Sequence, residues 1–344
     1  MPARFRQQRL MARLVDIAEL AGVSVGLVSR VLNDDPATRA TADTRARIVR
    51  VASELGYRPH YAARALKFAR TNTIALVVPD LTNAFFTELT RGVEDESRRL
   101  GYTVLLGRSE SLTDQTQLSR LLDEGRVDGF LLQGRDDETT QSLTRLIGRA
   151  PVVLINARIE DRPGSVMIDD RAAALTATEY LLERGHRKIG LINGLLTSLT
   201  ARLREEGYRT ALRAAGIQPS ANRSTRLGYQ VSSAAPAVDR VMSRRDTPSA
   251  LVVANVNAAL GVLTHARHLG YRVPEELSVI GIQDAWTADH TWPPLTTVRM
   301  PLYDLGIRAV AALKDRLSGS DGRDHIVSTV PPQVIERESV TSVT

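Results

Sequence analysis

The stretch Asp16–Asn33, "DIAELAGVSVGLVSRVLN", determines how the N-terminal region folds. The apolar spacing at its start predicts a short helix over Leu14–Ala21. Gly22 then supplies the left-handed residue that ends a helix at little steric cost. Ser24 is a good N-cap for a second helix over Val25–Leu32. Two short helices joined by a tight turn that contains glycine predict a helix-turn-helix unit.

The second helix has a predicted buried face and a predicted outer face. Val28, Val31 and Leu32 stand at i, i+3 and i+4 and form the apolar stripe. In a helix-turn-helix unit the second helix lies in the DNA major groove and contacts bases from its N-terminal end. The residues predicted to contact DNA from this helix and its two ends are Ser24, Val25, Gly26, Ser29, Arg30 and Asn33. Such side chains suit a thymine methyl, a guanine edge or a phosphate.

A third helix completes the unit. Thr41 is a suitable N-cap, and Gly56 is a suitable stop. The apolar stripe between them is predicted to be Ile48, Val49, Ala52 and Leu55. None of the three helices is stable alone, but three helices that share one core are. A plain three-helix bundle that binds nothing is the alternative interpretation.

Charge separates the N-terminal region from the rest of the chain. Residues 1–70 carry 13 Lys and Arg against 6 Asp and Glu, whereas the whole chain of 344 residues has a net charge of only +6. A basic head suits nucleic acid or an anionic membrane surface. No signal-peptide pattern follows the basic start, and no run approaches the roughly 20 apolar residues of a membrane span. We therefore expect a cytoplasmic, nucleoid-associated protein that binds double-stranded DNA and no membrane.

The segment Tyr57–Thr71, "YRPHYAARALKFART", follows the three helices. Its helix-forming residues extend over about two turns, which is marginal in water. We therefore expect this segment to become helical only when it docks on a partner.

Beyond residue 71, apolar runs of strand length alternate with amphipathic helices. The predicted strands are Ile74–Val78, Thr103–Leu106, Gly129–Leu132, Val152–Ile155, Ile189–Ile192, Ala250–Val253 and Val279–Ile282. The predicted helices include Leu89–Leu100, Arg171–Arg184, Arg202–Ala215 and Ala258–Leu269. This alternation predicts parallel, doubly wound α/β sheets, in which ligands bind beyond the carboxyl ends of the strands.

The pattern resembles the LacI/GalR family of bacterial transcription regulators over nearly the whole chain. The resemblance rests on "VDIAELAGVSVGLVSRVLN", "TRARIVRVASELGYRPHYAARALK", "IALVVPDLTNAFFTEL" and "PPLTTVRMPLYDLG". It implies a sequence-specific DNA-binding transcriptional repressor that acts as a homodimer and responds to a small effector. The implied fold is an N-terminal three-helix domain and a hinge helix, followed by a two-lobed, periplasmic-binding-protein-like α/β domain.

The resemblance also implies domain boundaries. These are a basic extension over 1–12, the helix-turn-helix domain over 13–58, the hinge and linker over 59–71, and the effector and dimerisation domain over 72–344. Within the last domain, lobe 1 comprises residues 72–170 and 300–325, and lobe 2 comprises residues 171–299 and 326–344. The short C-terminal tail favours a dimer over a tetramer.

Three further residues are predicted to contact DNA. Two are Tyr57 and Arg64, and the third, Leu66, matches the leucine that the family inserts into the minor groove at the operator centre. An inserted apolar side chain partly unstacks a base step and kinks the duplex. Residues 1–10 precede the usual family start, so they are either a basic arm that contacts phosphates or the result of a native start at Met11.

Carried over position by position, the resemblance assigns an effector cleft. Its predicted lining residues are Phe86, Asn156, Thr200, Arg202, Arg204, Tyr229, Asn255 and Gln283. Phe86 and Tyr229 would form flat apolar walls. Arg204 would hold its guanidinium group in one orientation and donate hydrogen bonds to the effector. The family commonly has Asp at the position of Gln283, so a shift of one residue that brings in Asp284 is the alternative.

The charge of this cleft suggests the class of effector. Gln283 and Asn156 occupy positions where the family often has acidic residues, whereas the arginines Arg204 and Arg202 are present without those acids to balance them. An unpaired charge in a poorly solvated cleft is costly. We therefore expect an anionic effector, such as a sugar phosphate or sugar acid, that binds the guanidinium fork. A neutral polyol bound by amides, or a degenerate cleft in a ligand-independent architectural DNA binder, are the alternatives.

An enzyme would need a recognisable site. The sequence has no dinucleotide fingerprint after its first strand, no Walker loop and no Gly-x-Ser-x-Gly elbow. It contains no cysteine, and its six histidines lack metal-ligand spacing. We therefore expect no catalytic residue, no metal and no cofactor. A secreted solute-binding protein would share the body but not the basic head.

Overall fold

The computed structural model describes residues 12–343 except 34, 36, 58–69, 109–114, 135–139, 149, 160, 228, 244–246 and 321. The predictions for residues 1–10, for Arg64 and for Leu66 therefore lie outside the described residues. The chain divides into two compact units, Met1–Thr71 and Asn72–Thr344.

The first unit contains the three predicted helices. They are α1 (Leu14–Ala21), α2 (Val25–Leu32) and α3 (Ala42–Glu54). Gly22 ends α1 in the left-handed conformation, with φ of 64°. The centre of the shared core consists of Ile17, Val28 and Ile48, each fully buried. Burial of these side chains against one another holds together helices that are too short to be stable alone.

The stripe predicted for α3 is wrong at two positions. Ile48 and Ala52 are buried as expected, but Val49 is 51% exposed and Leu55 is 37% exposed. Val51 is buried in their place. Residues three and four apart share one face of a helix, so Val51 follows Ile48 on the core side while Val49 turns away. Leu55 is the C-cap residue and lies past the last helical turn.

The second unit alternates strands and helices. Its strands are β1 (Thr73–Val78), β2 (Thr103–Arg108), β3 (Gly129–Leu132), β4 (Val152–Leu154), β5 (Val166–Ile168), β6 (Ile189–Asn193), β7 (Ser224–Arg226), β8 (Ala250–Val253), β9 (Ser278–Ile282), β10 (Thr296–Arg299), β11 (His325–Val327) and β12 (Gln333–Ile335). Its α-helices are α4 (Phe85–Leu100), α5 (Gln115–Asp123), α6 (Thr140–Ile147), α7 (Asp170–Glu183), α8 (Leu199–Ala214), α9 (Ala234–Met242), α10 (Val256–His268) and α11 (Leu302–Leu317).

The strands form two main sheets and a two-stranded ladder. The first sheet has the order β2-β1-β3-β4, and the second has the order β12-β10-β9-β8-β6-β7. All pairs are parallel except β10 with β12, and β5 pairs in parallel with β11. The expected parallel α/β sheets are therefore present. Helix termini at Gly101, Gly185, Gly216 and Gly270 have the positive φ that the C-cap assignment required.

The chain passes between the sheets more than once. It leaves the first sheet after β4, forms β5 of the two-stranded ladder, builds the second sheet from β6 to β10, and returns with α11, which packs against α4. After β11 it reaches the second sheet again at β12. These crossings place the carboxyl ends of strands from both sheets around one cleft. In the described part of the chain, no helix has the length and apolar character that crossing a bilayer requires.

Candidate DNA-binding surface and effector cleft

The N-terminal end of α2 is fixed by its cap and open on its outer side. The Leu27 backbone N–H donates to Ser24 Oγ at 3.3 Å. Val25, Gly26 and Arg30 are exposed. A Cβ added to Gly26 would meet no atom within 4 Å. This end of the helix is therefore rigid in its backbone and free to face a partner.

Asn33 and Ser29 belong partly to the structure of α2 itself. Asn33 Nδ2 donates to the Ser29 carbonyl oxygen at 2.6 Å, which closes the end of the helix. Both residues are half-buried. Tyr57 is also half-buried and packs against the three-helix core, and this burial raises the pKa of its hydroxyl. These three side chains thus offer a partner less surface than Val25 or Arg30.

One cleft in the second unit brings together all eight residues predicted to contact an effector. Three of them lie within two residues of the carboxyl end of a strand. Asn156 follows β4, Asn255 follows β8 and Gln283 follows β9. Because parallel strands end on the same side of a sheet, these side chains converge.

Aromatic rings form two walls of the cleft. Phe86 is buried and meets Phe85 edge to face, with ring centroids 4.8 Å apart. Tyr229 packs on Gly194, where an added Cβ would lie 2.2 Å from the ring. The Tyr229 hydroxyl lies 3.0 Å from Thr200 Oγ1. A glycine at position 194 is therefore required for the tyrosine wall to sit where it does.

Arg204 has a buried carboxylate partner that the sequence analysis did not anticipate. Its Nε donates to Asp170 Oδ1 at 2.8 Å, its Nη2 lies 2.7 Å from the same oxygen, and its Nη1 donates to the Ala254 carbonyl at 2.7 Å. The Arg204 and Asp170 side chains are only 3% and 1% exposed. Burial raises the pKa of Asp170, and the Arg204 guanidinium opposes that rise. The expectation that Arg204 leaves an uncompensated charge in the cleft is therefore wrong.

Two of the predicted amides support the walls of the cleft. Asn255 Oδ1 accepts the Ala258 N–H at 2.7 Å and so caps α10, while its Nδ2 donates to the Tyr229 carbonyl at 3.3 Å. Asn156 Oδ1 accepts the Ile168 N–H at 3.1 Å. Both side chains are buried. They position the cleft as well as lining it.

Gln283, rather than Asp284, lines the cleft. Asp284 instead accepts hydrogen bonds from Thr297 Oγ1 at 2.7 Å and Arg337 Nη2 at 2.9 Å, and it pairs with Arg299. Burial alone would raise the pKa of Asp284, but these hydrogen bonds and the nearby arginine charges hold it below its ordinary value. Within the described residues, no hydrogen bond to the Gln283 side chain is present, although the residue is buried.

Gln133 is a cleft residue that the sequence analysis missed. It follows β3, and its Oε1 is buried without a hydrogen-bond partner among the described residues. Its position directly after an apolar strand, in "FLLQG", was the available signal. A buried amide oxygen without a partner costs free energy unless a ligand or water satisfies it. Gln133 and Gln283 are thus two half-buried or buried lining amides whose bonding capacity the described residues leave unused.

Comparison with known proteins identifies both parts of the chain. Residues 13–60 match "Bacterial regulatory proteins, lacI family", and residues 178–340 match "Periplasmic binding protein-like domain". The chain is 34% identical over 339 residues to the HTH-type transcriptional repressor PurR of Vibrio atlanticus (strain LGP32), an alignment that covers 97% of this chain and 100% of that relative.

Solved structures give the same result. The lac repressor dimer bound to operator and the anti-inducer ONPF matches with a TM-score of 0.80 and 25% identity, over 96% of this chain and 100% of that one. A LacI family transcriptional regulator from Mycobacterium smegmatis matches with a TM-score of 0.74 and 38% identity, over 79% of this chain and 100% of that one.

A helix-turn-helix unit joined to a two-lobed α/β domain with a polar cleft defines a DNA-binding regulator rather than an enzyme. The chain belongs to the LacI family of DNA-binding transcriptional repressors.

Proposed function

We propose that this repressor binds a small polar effector in the cleft and that the effector changes its affinity for operator DNA. The observation that carries the proposal is the pair of amides, Gln133 and Gln283, between the walls formed by Phe86 and Tyr229. Ligand sites of this kind combine apolar walls with a few polar groups that fix orientation. A cleft that had lost its ligand would have no reason to keep a buried, unpartnered amide oxygen.

The cleft interior supports a neutral group better than an anionic one. Asp170, behind the lining, compensates Arg204, and Asp80, the one carboxylate among the described lining residues, accepts the N–H and the hydroxyl of Thr82. Amides both donate and accept hydrogen bonds, so Gln133 and Gln283 can bind hydroxyl or amide groups. The part of the effector that lies inside the cleft is therefore a neutral polar group, as in the polyol alternative.

We further propose that the repressor acts as a homodimer on a pseudo-palindromic operator, in the cytoplasm at the nucleoid. Two copies of α2 would contact two half-sites through Ser24, Val25, Gly26, Ser29 and Arg30, with Leu66 inserted between them. The lobes would be residues 72–170 with 300–325 and residues 171–299 with 326–344. The packing of α11 against α4, β3 and β4 and the pairing of β11 with β5 support this division on one side, and the place of β12 in the second sheet supports it on the other.

The test measures ligand binding and operator binding together. A panel of neutral sugars, polyols and heterocycles is screened by thermal shift, and each binder is titrated into a complex of the repressor with labelled operator. A binder present at a hundredfold excess over Kd should raise the free energy of unfolding by about 2.7 kcal/mol. Gln283→Ala should reduce that stabilisation, whereas Gln218→Ala, at an exposed position outside the cleft, should not. Ligands that bind without changing operator affinity would support the architectural alternative.

A further inference from the structure

A second depression adjoins the mouth of the cleft and is rich in arginine. Its lining residues are Gln141, Thr144, Arg145, Arg158, Ile159, Asp161, Arg162, Leu199 and Arg202. Arg158, Leu199 and Arg202 also line the cleft, so the two spaces adjoin at these residues. We call the four arginines Arg145, Arg158, Arg162 and Arg202 the arginine rim.

Neutral groups hold two members of the arginine rim in place without cancelling their charge. Arg202 Nη1 donates to the carbonyl oxygens of Leu196 and Thr197 at 2.9 and 3.1 Å. Arg162 donates through both Nη atoms to the carbonyl oxygens of Gly148 and Ala150. Burial, with a smaller contribution from the charge of Arg316, lowers the pKa of Arg162, which still leaves a guanidinium charged at neutral pH.

The other two members differ in their partners. Arg158 Nε lies 2.9 Å from Asp324 Oδ2, and Asp324 Oδ1 is already occupied by the backbone N–H groups of Gly164 and Ser165. Arg145 is exposed and has no ion-pair partner among the described residues. Asp161 is the one acid on the described lining of this depression. The rim, two of whose members also line the cleft, therefore carries an excess of positive charge.

We propose that the arginine rim binds a phosphate monoester, carried by the effector as a substituent that projects from the cleft mouth. This inference rests on the proposed effector function of the cleft. Guanidinium groups bind phosphate oxygens in a bidentate, charge-assisted manner, and several that converge on one depression suit a dianionic group. The effector is thus bipartite, with a neutral polar part between Phe86 and Tyr229 and a phosphate on the rim.

The experiment compares matched ligands on matched variants by isothermal titration in chloride buffer. The ligands are neutral sugars or nucleosides, their phosphate monoesters, and inorganic phosphate alone. Wild-type protein should bind inorganic phosphate, and it should bind a phosphorylated member at least tenfold more tightly than its neutral counterpart. The variant Arg145→Gln/Arg202→Gln should bring the ratio of the two Kd values, neutral ligand over phosphorylated ligand, close to one. The control Arg213→Gln/Arg240→Gln removes two exposed arginines outside both cavities and should keep the ratio.

Arg145→Gln alone guards against misfolding, because among the described residues this side chain has no hydrogen-bond or ion-pair partner to lose. The variant should still weaken phosphate binding severalfold. The rim inference is overturned if inorganic phosphate and phosphate monoesters bind wild type and Arg145→Gln/Arg202→Gln equally, whether or not neutral ligands enter the cleft. A second outcome is that anions bind the rim, while no ligand changes operator affinity and no ligand binds differently to Gln283→Ala. That outcome would support the rim proposal and contradict the proposed effector function.

Discussion

The recognition helix and the cleft use their polar side chains in opposite ways. On α2, Arg30 is exposed and its charge is free to meet a partner. In the cleft, Arg204, Asn156 and Asn255 are buried and bonded to the protein. Substitution of the exposed Arg30 should therefore change binding without changing stability. Most substitutions in the cleft should change both, and Gln133 and Gln283 are the exceptions that separate the two effects.

Arg204→Ala should have the largest effect, and that effect should be on stability. Removing the guanidinium leaves Asp170 buried without its partner, which costs about 3–5 kcal/mol. Urea unfolding of the full chain, monitored at a probe in the second unit, measures the loss. Arg202→Ala, at an exposed position two residues earlier, should cost less than about 1 kcal/mol. If Arg204→Ala were as stable as wild type and had lost only its effector response, Arg204 would be a ligand-binding residue and not the structural partner of Asp170.

Asp284→Asn should lower stability near neutral pH by about 1.5–3 kcal/mol, because it weakens charge-assisted hydrogen bonds from Arg337 and Arg299. The pKa of Asp284 is lowered in the folded state, so the carboxylate stabilises the fold above its unfolded pKa of about 4. That contribution disappears as the pH falls through the lower, folded pKa.

Unfolding free energies measured from pH 7 to pH 3 test this assignment. Wild type should lose stability over the acidic part of that range, and Asp284→Asn should lose less. Asp123→Asn, at an exposed position, should behave as wild type. Effector binding should survive Asp284→Asn, and its loss would show that Asp284, rather than Gln283, serves the cleft.

Arg30→Ala should weaken operator binding by about 1–3 kcal/mol if the side chain contacts a base edge. Because Arg30 is exposed, the melting temperature should stay unchanged. Fluorescence anisotropy on operator DNA and on unrelated DNA at fixed salt distinguishes the possible contacts. A loss confined to the operator indicates base recognition, whereas an equal loss on both DNAs indicates a phosphate contact. Arg213→Ala in the second unit is the matched control.

Gly26→Ala should have the smallest free-energy effect of the four substitutions, and that effect should be a gain in stability. A methyl group at this position enters open space and removes a residue with poor helix propensity, a gain of about 0.5 kcal/mol near a helix terminus. Hydrogen exchange of the α2 amides should slow accordingly. Operator preference should change at the same time, because the new methyl group faces the proposed DNA surface. Destabilisation would mean that the outer face of α2 packs against protein.

The comparison also shows how far sequence alone reaches. The helices of the first unit were predicted because their periodicity and caps are local, and Gly22 and Ser24 act as those rules require. Val49 was misplaced because two adjacent apolar residues compete for one helix face. The longer strands were predicted because their apolar runs are continuous. The short strands β5, β7, β10, β11 and β12 were missed because they lack a long continuous apolar run and are set by their neighbours in the sheet.

The cleft was predicted only as a set of residues, and its electrostatics were not. Asp170 follows Asp169, the N-cap of α7, so the pair appeared to be an ordinary acidic helix start. Its partner Arg204 lies 34 residues later in the chain. Nothing local indicates that pairing, since it depends on how α7 and α8 pack. The position of Gln283 relative to Asp284 likewise depended on where β9 ends.

Asn156 and Gln283 limit how the cleft can change in evolution or engineering. Both have left-handed backbone conformations, with φ of 52° and 71°. Such a conformation costs roughly 1–2 kcal/mol for most residues, is tolerated by Gly and Asn, and is least tolerated by β-branched side chains. Val, Ile or Thr at either position would lower stability before it could alter ligand preference. New specificities should therefore arise first at Gln133 and Thr200, and variant libraries that start at those two positions should retain the largest fraction of folded repressors.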